Sequence, residues 1–98
     1  MSAWYGQAKL MFDQARFQDA YENIAQASYI APKSTEVSLL KMQILSGLDE
    51  WGKLLELTES LMENPDLLSS SVTFRLAALG WLDRIEDAAR LIDRFSDS

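Results

Sequence analysis

Apolar residues recur at steps of three and four along almost the whole chain. Trp4, Ala8, Met11 and Phe12 fall on one helical face, and Ala20, Ile24 and Ala27 on another. Val37, Leu40 and Ile44 keep the same spacing, with Leu39 beside them. So do Leu54, Leu57 and Leu61, then Leu76, Ala78 and Leu79, and finally Ala88, Leu91, Ile92 and Phe95. A face that returns every 3.6 residues belongs to an α-helix, whereas a strand returns its face every second residue. No five-residue run of alternating β-branched residues competes. The pattern predicts an all-α chain of six helices, over about 3–14, 18–30, 35–47, 50–63, 69–80 and 84–95.

Polar punctuation falls between these segments. Pro32 follows the second helix, where it cannot continue the hydrogen-bond ladder, and Ser34 is placed to cap the third. Gly47 ends the third, leaving Asp49 as the expected cap of the fourth. Asn64 and Pro65 end the fourth, and Asp66 or one of Ser69, Ser70 and Ser71 would cap the fifth. Asp83 would cap the sixth, with Glu86 three residues later returning a bond to it. Joints this short between helices of about twelve residues imply antiparallel hairpins.

The stretch RFQDA at 16–20 returns as RIEDA at 84–88. Half that separation, 34 residues, is a period of the whole chain. Phe17 then meets Trp51 and Ile85; Ala20 meets Leu54 and Ala88; Ile24 meets Thr58 and Ile92; Ala27 meets Leu61 and Phe95. In the other helix of each pair, Ala8 meets Met42 and Leu76, and Met11 meets Leu45 and Leu79. Three copies of a 34-residue helix pair suggest stacked hairpins, each covering an apolar face that its neighbour cannot bury alone. Helical periodicity by itself also fits a non-repeating six-helix bundle. The shared register of the small residues argues against that.

With Trp4, Ala8, Met11, Ala20, Ile24 and Pro32 at their spacing, the chain resembles the tetratricopeptide repeat family. Trp4, Ala20 and Pro32 match its pattern outright, Ala8 replaces a glycine, and Gln7 departs from it. In the second copy Leu54 stands where a small alanine belongs and Pro65 comes one residue early, so a wider or tilted pair is expected there. The resemblance covers essentially the whole chain. It implies a right-handed α-solenoid of three antiparallel hairpins, forming one domain over 1–98 with repeats at about 1–34, 35–68 and 69–98.

Composition narrows the chemistry. With no cysteine and no histidine, the chain lacks disulfides, thiolate metal sites and the usual neutral-pH base. No phosphate loop, calcium loop or zinc spacing is visible, so neither a cofactor nor an enzymatic activity is expected. The acidic groups Asp83, Glu86 and Asp87, or Glu56, Glu59 and Glu63, read as a helix start and a solvated face. A net charge of −6 repels phosphate backbones and favours a basic or apolar protein partner over nucleic acid. No apolar stretch approaches the ~20 residues that cross a bilayer, and no basic head leads into an apolar run. The expectation is no membrane segment and a cytoplasmic location.

The resemblance implies that the first helix of each pair lines a concave groove for a peptide or helix of a partner protein. Carried onto this chain, the groove holds Tyr5, Lys9, Phe12, Leu39, Gln43, Thr73 and Trp81. Tyr5, Phe12, Leu39 and Trp81 would be the anchors, and Lys9 and Gln43 would set polar register. Tyr5 is the expected open anchor because Trp4 beside it takes the packing role. Members that clamp a partner's terminal carboxylate use Lys, Asn and Arg there. Tyr5, Lys9, Leu40, Ser70 and Phe74 hold those places, so an apolar ligand fits better. Short acidic three-repeat members also resemble bacterial secretion chaperones, a narrower expectation. A separate one concerns Ala88, Ile92 and Phe95, which form an apolar stripe on the sixth helix. This stripe would serve as an end-face interface, covered by a second copy, by a partner or by residues of a longer parent chain.

Overall fold

The computed structural model describes residues 2–96. Six helices run through them: α1 (Ser2–Asp13), α2 (Phe17–Ile30), α3 (Thr35–Gly47), α4 (Trp51–Leu61), α5 (Leu68–Trp81) and α6 (Ile85–Ser96). The described residues contain no strand. Every helix end lies within two residues of the place that apolar spacing predicts.

Helices α1, α3 and α5 close in one way. Ala15, Asp49 and Asp83 take left-handed backbone, with φ of 60°, 58° and 59°, and lie 34 residues apart. Each of them donates its N–H three residues back, to the carbonyls of Phe12 (3.0 Å), Ser46 (3.2 Å) and Gly80 (3.2 Å). The next residue donates five back, from Arg16 to Met11 (2.8 Å), Glu50 to Leu45 (3.0 Å) and Arg84 to Leu79 (2.8 Å). These bonds occupy carbonyls that a helix end otherwise leaves without a partner. The same closure corrects two expected caps. Asp49 and Asp83 are not N-caps, because a capping residue needs extended backbone and these two are spent on ending the preceding helix.

That closure gives the RFQDA echo its meaning. The carbonyls of Arg16 and Arg84 accept the first bonds of α2 and α6, from Ala20 (2.9 Å) and Ala88 (3.1 Å). Their guanidinium groups then grip the carboxylate three residues on, Arg16 Nη2 to Asp19 at 2.7 Å and Arg84 Nη2 to Asp87 at 2.8 Å. Both pairs are well exposed, so each contributes only about 0.2–0.5 kcal/mol. Glu50 and Lys53 hold the same two places before α4 with the signs exchanged.

The expected cap of α3 is present. Ser34 has extended backbone and its Oγ accepts from the Val37 N–H at 3.3 Å. The cap of α5 is not where it was expected. Leu67 precedes that helix without a side-chain bond. Asn64 organises the turn instead: its Oδ1 accepts from the Asp66 N–H and its carbonyl from the Leu67 N–H, both at 3.0 Å.

The chain divides into two compact units, residues 1–50 and 51–98, with the boundary between α3 and α4. In the first, α1 packs on α2, α2 packs on α3, and α1 also touches α3. Ala8, Ala20, Ile24, Ala27, Val37, Leu40 and Ile44 form its core, with Tyr5, Met11, Phe12, Tyr21 and Leu48 packed against them. Alanine at 8, 20 and 27, each with no exposed surface, lets the helices approach closely. Gly47 serves the same purpose at the end of α3. A Cβ there would lie 2.9 Å from Cδ1 and Cε1 of Phe17, inside the contact distance of real side chains.

In the second unit α4 packs on α5 and α5 on α6. Leu54, Leu55, Thr58, Leu67, Ser71, Ala78, Leu79 and Leu91 are buried. Thr58 and Ser71 stand one period after Ile24 and Val37, so two apolar positions have become polar. Thr58 Oγ1 donates to the Leu55 carbonyl at 3.1 Å, and Arg75 Nη1 donates to the same oxygen at 2.9 Å.

Left-handed backbone suits glycine and costs an alanine about 1–2 kcal/mol. Ala15→Gly is therefore expected to stabilise the chain by about 0.5–1 kcal/mol after the looser unfolded chain is counted. Urea unfolding monitored by circular dichroism checks this. A midpoint that falls instead of rising would mean that Ala15 is not held in that conformation.

Candidate partner-binding surfaces

Positions 5 and 39, and 9 and 43, are equivalent in the 34-residue register and lie on α1 and α3 of the first unit. The next register position inward is closed, since Ala8 and Met42 have no exposed surface. Lys9 is exposed, and Tyr5, Leu39 and Gln43 are half-buried. Tyr5 packs against the unit's core while Trp4 remains 39% exposed. The expected division of labour between them is thus reversed. Phe12 is half-buried, packs against the same core and meets the ring of Phe17 at 5.6 Å, tilted by 57°. Its ring is engaged in packing.

Thr73 and Trp81 belong to α5 in the second unit. Thr73 is exposed, and its hydroxyl donates to the Ser69 carbonyl of its own helix at 3.0 Å. Trp81 ends α5, and Trp51 begins α4. Their rings stack at 5.7 Å with planes only 5° apart. This contact repeats, one period later, the placement of Phe17 over Gly47. Trp81 nevertheless leaves 71% of its surface open, and Leu82 (40%) and Ile85 (69%) follow it around the turn. Sequence reasoning named Trp81 but not its neighbours. Only the fold places Trp51, thirty residues earlier, beneath it.

Helix α6 is the most strongly amphipathic of the six. Leu91 is buried against its unit, Ala88 and Phe95 are half-buried, and Ile92 is 51% exposed. The equivalent residues of α2 are Ala20, Ile24 and Ala27, and all three are wholly buried. The Arg94 guanidinium lies 5.1 Å from the Phe95 ring centre.

The opposite side of α6 gathers cations that the net charge conceals. A recess of about 190 Å³ is lined by Arg75, Arg84, Arg90 and Arg94, with Leu79, Leu91 and Asp87. Asp87 is held from two sides, by Arg84 and by Arg90 at 3.4 Å. Spacing along α6 carried this signal, but acids interleaved with the arginines obscured it. Among the described residues no acidic cluster is built to hold a metal ion, and no helix is long and apolar enough to cross a membrane.

No family model matches the chain, and no curated protein or solved structure matches it.

The indole stack yields a direct test. Trp81→Ala is expected to cost about 1 kcal/mol of stability in urea unfolding, and Trp51→Ala, Trp81→Ala together less than the sum of the two single changes. Additive losses in this double-mutant cycle would show that the two rings do not stack in solution.

Proposed function

We propose that the chain is a tetratricopeptide-type module that binds a segment of another protein. In this reading the six helices form three hairpins of a right-handed solenoid. The recurrence of one helix closure at Ala15, Asp49 and Asp83 supports a true 34-residue repeat. So does the recurrence of one interhelix contact, Phe17 on Gly47 and then Trp51 on Trp81.

The observation that supports binding is the mixed face that two touching helices carry beside the closed positions Ala8 and Met42. Lys9 is exposed there, and Tyr5, Leu39 and Gln43 are half-buried beside it, so aromatic, aliphatic and polar groups lie together. Such a face suits an extended or helical apolar segment with a few polar groups. The exposed apolar stripe on α6 favours a second reading, assembly through that helix.

Photo-crosslinking residues placed at Leu39 and at Glu22, which is exposed on α2, separate a groove from non-specific capture. The expected outcome is one recurrent protein adduct from position 39 and none from position 22. The double variant Leu39→Ala, Gln43→Ala should weaken binding of that protein about tenfold, with unfolding unmoved. Equal adducts at both sites would sink the groove reading.

A further inference from the structure

Two interhelix joints of one kind are present, and each has two halves. In the first unit Phe17, Ala20, Ile24 and Ala27 of α2 face Val37, Leu40, Ile44 and Gly47 of α3. The contact of Phe17 with Gly47 fixes an antiparallel register. It sets Ala20 by Ile44, Ile24 by Leu40 and Ala27 by Val37. In the second unit the stack of Trp51 on Trp81 fixes the same register one period on. It sets Leu54 by Ala78, Thr58 by Phe74 and Leu61 by Ser71. Most of these pairs match one large residue with one small.

Each half also occurs once uncovered. Helix α6 carries the first half as Ile85, Ala88, Ile92 and Phe95, with Ile85 69% and Ile92 51% exposed. Helix α1 carries the second half as Ala3, Gly6, Leu10 and Asp13. Ala3 is exposed, Leu10 is 57% exposed, and a Cβ built on Gly6 meets nothing within 4 Å.

We propose that these halves belong together: the exposed face of α6 in one copy is covered by the outer face of α1 in a second copy. The register of the two joints within the chain predicts the pairs. Phe95 falls by Ala3, Ile92 by Gly6 and Ala88 by Leu10, so each large side chain meets a small one. Trp81 and Gly47 show that the fourth position accepts very different residues. Asp13 occupies it here, against Ile85 and next to Arg84, where the two charges are of opposite sign. A second α6 would offer nothing of this kind, because it would set Phe95 and Ile92 against equally large partners. The joint sets one face against a different one, so each copy offers both halves and can engage a second copy through either. Each copy carries a net charge of −6, so added salt screens the repulsion and strengthens the association. The proposal rests on the assembly reading of α6 and names its occupant.

Sedimentation over a wide range of protein concentration tests it with Ile92→Glu, Leu10→Glu and their equimolar mixture. Both residues are more than half exposed, so neither change disturbs a core, and unchanged helical content verifies this. The wild-type chain is expected to associate as its concentration rises. Each variant alone should be monomeric, its association weakened about tenfold or more. The mixture should give a one-to-one dimer and nothing larger, because one intact α6 meets one intact α1. Loss of association in Ile92→Glu but not in Leu10→Glu would overturn the proposal in favour of α6 against α6, leaving α6 as an interface. A wild-type monomer at every concentration would also overturn it. In that case, a photo-crosslinker at position 92 that captures a different protein would leave only the assembly reading standing.

Discussion

The left-handed residue after α1, α3 and α5 is the constraint on which the rest depends. By turning the backbone at Ala15 and at Asp83, it sends α2 back along α1 and α6 back along α5 after three residues. It also sets the register in which those helices meet. The residue that follows must both end one helix and begin the next. Arg16 and Arg84 do this through the backbone, donating to the helix behind and accepting from the helix ahead. Their side chains add only an exposed ion pair. The echoed sequence therefore marks a joint in the backbone and carries no charge chemistry of its own.

Much of this was legible. Helix positions followed from apolar spacing because every helix has one face against a core, and burial writes itself into sequence at the helical period. The 34-residue register was legible for the same reason. The helix caps were less so. Left-handed closure is usually marked by glycine, and here it falls on Ala15, Asp49 and Asp83. Two of those are aspartates, whose ordinary meaning before a helix is a cap. The pairwise roles of neighbours were not legible either. Trp4 and Tyr5 lie only about 100° apart around α1, and a small rotation of the helix decides which one meets the core. The indole stack joins residues thirty apart, and the arginine recess joins Arg75 of α5 to arginines beside and on α6, where interleaved acids mask them in any local sum.

The candidate surfaces differ in how far the sequence could reach them. Tyr5, Lys9, Leu39 and Gln43 come from the resemblance and not from spacing, and the structure places them on two helices that touch. Phe12 was chosen for its bulk, yet that bulk is spent against Phe17 and the core. Thr73 was chosen for its position, and its hydroxyl is engaged by its own helix. The stripe on α6 follows from helical spacing and register, and the structure adds the comparison that gives it weight. The same register positions that are sealed in α2 are open in α6.

That comparison also explains how the repeat survives so much variation. A joint between two helices requires a filled volume, not a particular side chain, and either partner can supply the bulk. Alanine at position 20 answers Ile44, whereas at the equivalent place Leu54 answers Ala78. Leu54 therefore departs from the small residue of the first copy without leaving a gap, and it is wholly buried. Phe17 over Gly47 and Trp51 on Trp81 stand outside this exchange, because both partners are large in the second pair and Trp81 stays mostly exposed. In the inner pairs of the joint, bulk on one side mostly answers a smaller residue on the other. A pattern read along one helix then looks worn in places where the interface is intact, and wear is evident only when both sides of the joint are read together. Thr58 and Ser71 show the exchange reaching polar groups, since each small polar residue is answered by a large apolar one, Phe74 or Leu61. At Thr58 the hydroxyl and Arg75 both donate to the Leu55 carbonyl, where the first unit has the side chain of Ile24. Ser71 has no such partner for its buried hydroxyl and stands where the first unit has Val37.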